Sequence, residues 1–127
     1  MSKYTYSTND REIEQLNKKV FILLMKLGFK ITSIGTIYLK NIILISYINK
    51  NDDLSYSQCI NILSDEIKKS AVTIKSNIFK TFDTVDKEKY LNTFPHIFKY
   101  DTDLCSITPL NLYESFSALL QLKDSTI

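Results

Sequence analysis

Glycine and proline are scarce in this sequence, which has two residues of each among 127. Tight β-hairpin turns depend on such residues, so their scarcity disfavours an all-β fold. Apolar residues make up 44% of the chain and charged residues 24%, as is usual in folded globular proteins and unusual in disordered ones. The length fits a single domain with a hydrophobic core.

Cysteine and histidine, which supply many metal and catalytic sites, are equally scarce. Cys59 and Cys105 are too few and too far apart for a disulfide framework or a zinc knuckle, and their apolar neighbours predict two buried thiols. His96 is the single histidine, and no phosphate-binding glycine loop or Gly-x-Ser-x-Gly elbow is present. The adjacent acids at 52–53 and 65–66 do not share a helix face. We therefore expect a protein that is not an enzyme, without metal or cofactor.

Long apolar runs are also missing. The most apolar stretch, 31–49, is interrupted by Lys40 and by serine, threonine and asparagine, whereas a bilayer-spanning helix needs about 20 predominantly apolar residues. Residues 1–15 are polar and do not resemble a secretion signal. The sequence therefore predicts a cytoplasmic protein with no membrane partner.

Along most of the chain, apolar residues recur at the three- and four-residue steps of amphipathic helices. Residues 1–9 are predicted to be a flexible tail, followed by a helix with Asp10 as its N-cap that Gly28 terminates. The stretch 33–49 is apolar on nearly every side and is expected to be the central helix. Its β-branched residues would also suit a strand, but the helical spacing and the lack of a partner strand favour a helix.

Four further helices complete the predicted domain. Ser55 is the expected N-cap of the third, and the fourth and fifth are predicted over 71–85 and 86–92. Pro95 is expected to begin an irregular segment that extends through 103. Thr108 as N-cap with Pro109 in the first turn predicts the last helix. The sequence thus predicts an all-α fold, a compact bundle of five or six helices in one domain over residues 10–127.

The segment DEIKKSAVTIKSNIFKTF, residues 65–82, is typical of a helix end, a short polar break and a second helix. At 100° per residue, Ala71, Ile74, Ile78 and Phe82 share one arc, which predicts a buried inner face. The opposite side is predicted to be short, polar and partly basic, as a helix entering the DNA major groove requires, and an ordinary surface helix is the alternative. The expected base-facing residues are Thr73, Lys75, Ser76, Asn77 and Lys80, and the expected phosphate contacts are Lys68, Lys69 and Ser70.

Charge is divided unevenly along the chain. Residues 1–80 contain 12 basic and seven acidic residues, and residues 81–127 contain four and seven, which gives net charges of +5 and −3. A basic N-terminal part is compatible with an anionic partner, although scattered solvated lysines would produce the same total.

Several landmarks resemble one known family in their order and spacing. They are Leu27-Gly28, Gly35, the stretch IYLKNII at 37–43, Tyr47, and Pro109-x-Asn111. From about residue 16 to residue 123 the chain resembles the C-terminal DNA-binding effector domain of the sporulation-initiation (stage zero) master response regulator. The resemblance implies a helix-turn-helix transcription regulator that binds double-stranded DNA as a homodimer, with a sporulation regulator or RNA polymerase as further partners. It also implies dimerisation through the last helix, at Leu112, Tyr113, Phe116, Leu119 and Leu120.

The departures from that family concern the residues that read DNA. The family has Arg, Glu, Arg and His where this chain has Thr73, Lys75, Ser76 and Lys80, and Ser or Thr cannot replace the bidentate pairing of Arg with guanine. The family's DNA site is therefore not expected here. Residues 1–15 are also too short for a phosphoacceptor receiver domain. The sequence supports two hypotheses: a stand-alone DNA-binding regulator, or a protein-interaction module of the same fold that pairs with a sporulation regulator.

Overall fold

The segments in which apolar residues recur at three- and four-residue steps form six α-helices. A computed structural model describes residues 10–125, and within this range the chain contains no β-strand. The predicted all-α fold is therefore confirmed, whereas the tail predicted over 1–9 lies outside the described residues. The helices are α1 (Asp10–Lys26), α2 (Ile34–Ile48), α3 (Tyr56–Ile67), α4 (Ala71–Asp83), α5 (Lys87–Phe98) and α6 (Pro109–Ser125), with short 3-10 turns at Lys50–Asp52 and Leu104–Ser106.

The most apolar helix, α2, lies at the centre of the bundle, as predicted. It packs against α1, α3, α4 and α6, so its apolar side chains are covered on several sides. The helical interpretation of this β-branched stretch is confirmed. The β-strand preference of its residues depends on context, and here packing against the surrounding helices favours the helix. The apolar character of α2 does not make it a membrane helix, since no helix in the described part of the chain has both the length and the hydropathy to cross a bilayer.

Local end signals place the helix boundaries close to their predicted positions. Ser55 caps α3 through a capping box, in which its hydroxyl accepts the Gln58 N–H at 3.2 Å and its own N–H donates to the Gln58 side chain at 2.8 Å. The Thr108 hydroxyl accepts the Asn111 N–H at 3.2 Å and caps α6. Gly28 adopts φ +103°, the left-handed conformation that ends α1. Helix α1 includes Asp10 rather than starting after it, and α4 ends at residue 83, two residues before the predicted end.

The irregular segment predicted from Pro95 through 103 starts four residues later than predicted, because α5 continues through Pro95 to Phe98. Proline removes one helical hydrogen bond and usually disrupts a helix interior. Here Tyr90, Phe94 and Phe98 recur at four-residue steps and are all buried, so the helical conformation places three aromatic rings in the core. The Phe94 ring lies 5.7 Å from the Tyr90 ring and 4.6 Å from the Phe98 ring, and the Phe98 ring lies 5.1 Å from Phe116 in α6. Helix α5 ends at Phe98, and its C-cap residue Lys99 has φ +67°.

The prediction of two buried thiols is half wrong. Cys59 is completely buried in α3, and its Sγ lies 3.2 Å from the Tyr113 hydroxyl oxygen. Cys105 is exposed, because the short 3-10 turn that carries it directs its side chain to solvent despite the apolar neighbours in sequence. Burial raises the pKa of the Cys59 thiol, which leaves less of the reactive thiolate at a given pH.

The two cysteines should therefore react with a thiol reagent at very different rates. At pH 8 in the folded protein, Cys105 should be modified first, and Cys59 should react on the order of 100-fold more slowly, because its modification requires the core to open. Absorbance-detected labelling of Cys105→Ser should lack the fast phase, and that of Cys59→Ser should lack the slow one. Two equally fast phases would contradict the burial of Cys59.

Candidate nucleic-acid interface

The connection between α3 and α4 is three residues long. Lys68 has φ +60° and ψ +41°, the left-handed conformation that usually favours glycine, and its N–H donates to the Ser64 carbonyl at 3.0 Å. The Ser64 hydroxyl donates to the Lys69 carbonyl, so both lysines of the turn are held by α3. Their side chains are exposed beside the N-terminus of α4. We refer to α3, residues 68–70 and α4 together as the helical pair.

The Ser70 hydroxyl group forms hydrogen bonds with the first turn of α4. Its hydroxyl oxygen accepts the Thr73 N–H at 3.1 Å, and its hydroxyl proton is donated to the Thr73 hydroxyl oxygen at 2.8 Å. A hydroxyl has one proton to donate, so in this arrangement Ser70 has none left for a phosphate oxygen. Ser70 is therefore the N-cap of α4, and its role as a phosphate contact stays a prediction that would require its hydroxyl to release Thr73.

The predicted inner face of α4 is confirmed. Ile74 and Ile78 are completely buried, Phe82 is 5% exposed, and Ala71 is half-buried. These side chains anchor α4 to the core through several turns. The helix can therefore present its other side to a ligand without changing its own position.

A close contact between α2 and α4 fixes the position of α4 further. A Cβ atom built on Gly35 would lie 2.0 Å from the Thr81 hydroxyl oxygen and 2.2 Å from the Asn77 carbonyl oxygen, so only glycine fits between the two helices. The Ser33 hydroxyl lies 2.8 Å from the hydroxyl of Thr81, which in turn donates to the Asn77 carbonyl at 3.1 Å. The start of α2 is thus hydrogen-bonded to the last turn of α4.

Four of the five predicted base-facing residues are exposed: Thr73, Lys75, Ser76 and Lys80. The fifth, Asn77, is half-buried at the contact with α2, and its amide group donates to the Thr73 carbonyl at 2.9 Å. The prediction for Asn77 is therefore wrong in placement, because helical angles alone do not show where α2 crosses α4.

Two apolar residues also lie on this outer face, so its description as short and polar is wrong. Val72 is 76% exposed and Phe79 is 60% exposed. The three- and four-residue spacing that identifies the inner face of α4 does not include Val72 or Phe79. Their spacing of seven residues, about two helical turns, was the signal in the sequence that could have identified them.

The helical pair contains a continuous basic stretch in which lysines are not interrupted by acidic residues. Between residues 67 and 82 there are four lysines and no acidic residue. Asp65 and Glu66 lie in the last turn of α3, directly before this basic stretch, and Asp83 follows it at the end of α4. All four lysine side chains are exposed: Lys68, Lys69, Lys75 and Lys80. A basic surface therefore covers the turn and the outer face of α4, with acidic residues at its margins.

The predicted dimerisation residues of α6 are placed mainly inside the protein. Four of them are buried to at least 96%, and Leu119 is half-buried against the same core. The Tyr113 hydroxyl donates to the Leu54 carbonyl at 2.6 Å, which fixes α6 against the start of α3. A second copy of the chain cannot contact these side chains while the domain is folded. The correction therefore concerns Leu112, Tyr113, Phe116 and Leu120, whose apolar period reflects the core of one protomer.

A cleft of about 390 Å³ lies along one side of α6, between this helix, the end of α2 and the segment that leads from the 3-10 turn at Lys50–Asp52 into α3. Ser46 and Ser117 in its wall are hydrogen-bonded to each other at 3.0 Å, and burial raises the pKa of the nearby Tyr56 to about 12. The described residues contain no group of three His, Cys, Asp or Glu side chains that could hold a metal ion. The cleft therefore offers hydrogen-bonding groups but, among the described residues, no cluster of metal ligands.

Comparisons with known proteins add no constraint on function. No protein-family model, curated protein or solved structure gives a significant match to the chain. The surface of the helical pair is therefore the feature from which a function is inferred.

Proposed function

We propose that the chain is a DNA-binding transcription regulator in which the helical pair acts as a helix-turn-helix and α4 enters the major groove. The observation that carries the proposal is the position of α4. Its inner face is buried, its contact with α2 is fixed at Gly35, and its outer face is exposed and flanked by lysines. An α-helix with its side chains is about 10–12 Å wide, close to the ~12 Å width of the B-DNA major groove.

In this proposal the turn and the outer face have separate tasks. Lys68 and Lys69, together with the N-terminal N–H groups of α4, hold phosphates and set the orientation on the duplex. Lys75 and Lys80 extend over the outer face and reach base edges or the opposite strand. Thr73 accepts a hydrogen bond from Ser70 but retains its own hydroxyl proton, so it can still donate to a base.

We further propose that the protein is cytoplasmic and binds double-stranded DNA as a homodimer. A sporulation regulator or RNA polymerase is a further proposed partner. The buried residues of α6 are not the dimer contact in this version. Exposed apolar residues of the same helix, Leu110 and Leu122, are the side chains that a second copy could reach.

Binding to duplex DNA should weaken steeply with salt. Each neutralised phosphate contributes about −0.9 to the slope of log K against log salt concentration, so four lysine contacts contribute roughly −4 to the slope for each bound protomer. Titration of a fluorescent duplex at several salt concentrations measures this slope. Lys69→Gln should make the slope less negative by about 1 for each bound protomer, whereas Lys18→Gln, an exposed substitution on α1, should leave it unchanged. A flat salt response, or no binding at low salt, would contradict the proposal.

A second candidate function is a protein-interaction module that pairs with a sporulation regulator. The exposed Val72 and Phe79 favour it, because apolar side chains at the centre of a polar surface are common in protein interfaces. Co-purification with a full-length regulator in the absence of DNA affinity would support this alternative. Failure to retain any such regulator, together with salt-dependent DNA binding, would exclude it.

A further inference from the structure

The outer face of α4 has an apolar stripe among its lysines. Val72 and Phe79 lie seven residues apart, so they point in directions that differ by only about 20° around the helix axis. Single exposed apolar side chains are common on protein surfaces and need no ligand. These two are informative because Lys75 and Ser76 lie between them on the exposed surface, one on each side of the line that joins them.

The chemistry of this stripe matches one feature of DNA. The thymine C5-methyl group is the apolar group that a base pair presents in the major groove, and apolar side chains contact it there. Seven residues of helix span about 10.5 Å, and three base-pair steps span about 10.2 Å, so both side chains can meet thymines about three base pairs apart. The surrounding lysines supply the attraction to phosphates that a purely apolar protein interface would not need.

We propose that Val72 and Phe79 read thymine methyl groups in the major groove, which gives the protein a preference for A·T base pairs about three positions apart. This inference depends on the proposed DNA-binding function and names what α4 recognises there. Lys75, between the two apolar contacts, lies opposite the intervening base pairs and can donate to guanine O6 and N7 or to a phosphate. Recognition through methyl groups accounts for a base-reading face that has no arginine.

Replacing thymine by uracil tests the proposal, because uracil lacks the C5-methyl group but keeps the same base pairing, minor groove and phosphate charge. The probes are the alternating duplexes poly(dA-dT) and poly(dA-dU), titrated at the same low salt concentration. Loss of one buried methyl contact weakens binding about fourfold, so the wild-type protein should bind the uracil duplex about 4- to 16-fold more weakly. In Val72→Ala/Phe79→Ala the two affinities should become equal.

A matched control and the alternative outcomes separate this inference from the function it depends on. Leu104 is 60% exposed, as Phe79 is, and lies outside the helical pair, so Leu104→Ala should retain the wild-type preference. Equal wild-type affinities for the two duplexes would overturn methyl reading and leave DNA binding intact. Absence of binding to either duplex would overturn both. If self-association, measured by sedimentation, were then lost in Phe79→Ala, the stripe would be assigned to contact with a second copy of the chain.

Discussion

Gly35→Ala is expected to destabilise the fold by about 3 kcal/mol and to lower Tm by about 10 °C. Alanine would normally stabilise a helix by up to about 1 kcal/mol relative to glycine. At this position the added Cβ would lie 2.0 Å from the Thr81 hydroxyl oxygen and 2.2 Å from the Asn77 carbonyl oxygen. Helices α2 and α4 would have to separate, and the completely buried Ile74 and Ile78 would lose packing contacts as a result. Thermal unfolding followed by circular dichroism measures the loss.

Two control variants identify the cause of this effect. Asn61→Ala, an exposed substitution on α3, should change the free energy of unfolding by no more than about 0.5 kcal/mol. Thr81→Ala removes the nearer of the two atoms that block the Cβ, but the Asn77 carbonyl belongs to the main chain and stays in place. Gly35→Ala/Thr81→Ala should therefore not regain the wild-type Tm. An unchanged Tm in Gly35→Ala alone would mean that α2 and α4 are further apart than described.

The features of the fold that could be predicted from the sequence are those with local causes. Gly28 ends α1 because its backbone needs a positive φ, and Ser55 starts α3 because a glutamine three residues later completes the capping box. The inner face of α4 follows from the spacing of Ile74, Ile78 and Phe82 alone. Such signals act within one or two helical turns, so they do not depend on how the helices pack together.

The errors arise where packing between distant segments decides the outcome. Pro95 stays inside α5 because the burial of Phe94 and Phe98 compensates for the missing hydrogen bond, and a local rule does not include that burial. Similarly, the apolar period of α6 indicates that Phe116 and Leu120 are buried, but a period cannot distinguish burial in the core from burial against a second copy.

The candidate site shows the same division between local and distant causes. Exposure of Lys75, Ser76 and Lys80 follows from the helical angles and was predicted. The hydrogen bond that holds the Asn77 side chain is local, but its burial depends on the crossing of α2, which the sequence does not show directly. The result is a revised outer face in which Asn77 has a structural role and Phe79 is accessible to a ligand.

Lys80→Glu is the substitution that should affect DNA binding most, with an expected loss of affinity of about 30-fold or more at low salt, or about 2 kcal/mol. Lys80 is exposed in the last turn of α4 on the proposed groove-facing side, so the change both removes an attraction to DNA and adds a repulsion. A negative charge near the C-terminus of a helix also opposes the helix dipole, but at an exposed position this costs only about 0.3–1 kcal/mol of stability. The fold should therefore persist, and fluorescence anisotropy with a labelled duplex can measure affinity alone.

The matched control for this substitution is Lys18→Glu, which makes the same change in charge at an exposed position on α1. Both variants lower the formal net charge of the chain from +2 to 0, so a general effect of charge on binding would weaken them equally. Binding through α4 requires instead that Lys18→Glu stay within about twofold of the wild type while Lys80→Glu loses most of its affinity. Equal losses would indicate diffuse attraction without a defined interface. Unchanged affinity in Lys80→Glu would exclude α4 from the DNA contact and leave its outer face, with Val72 and Phe79, for a protein partner.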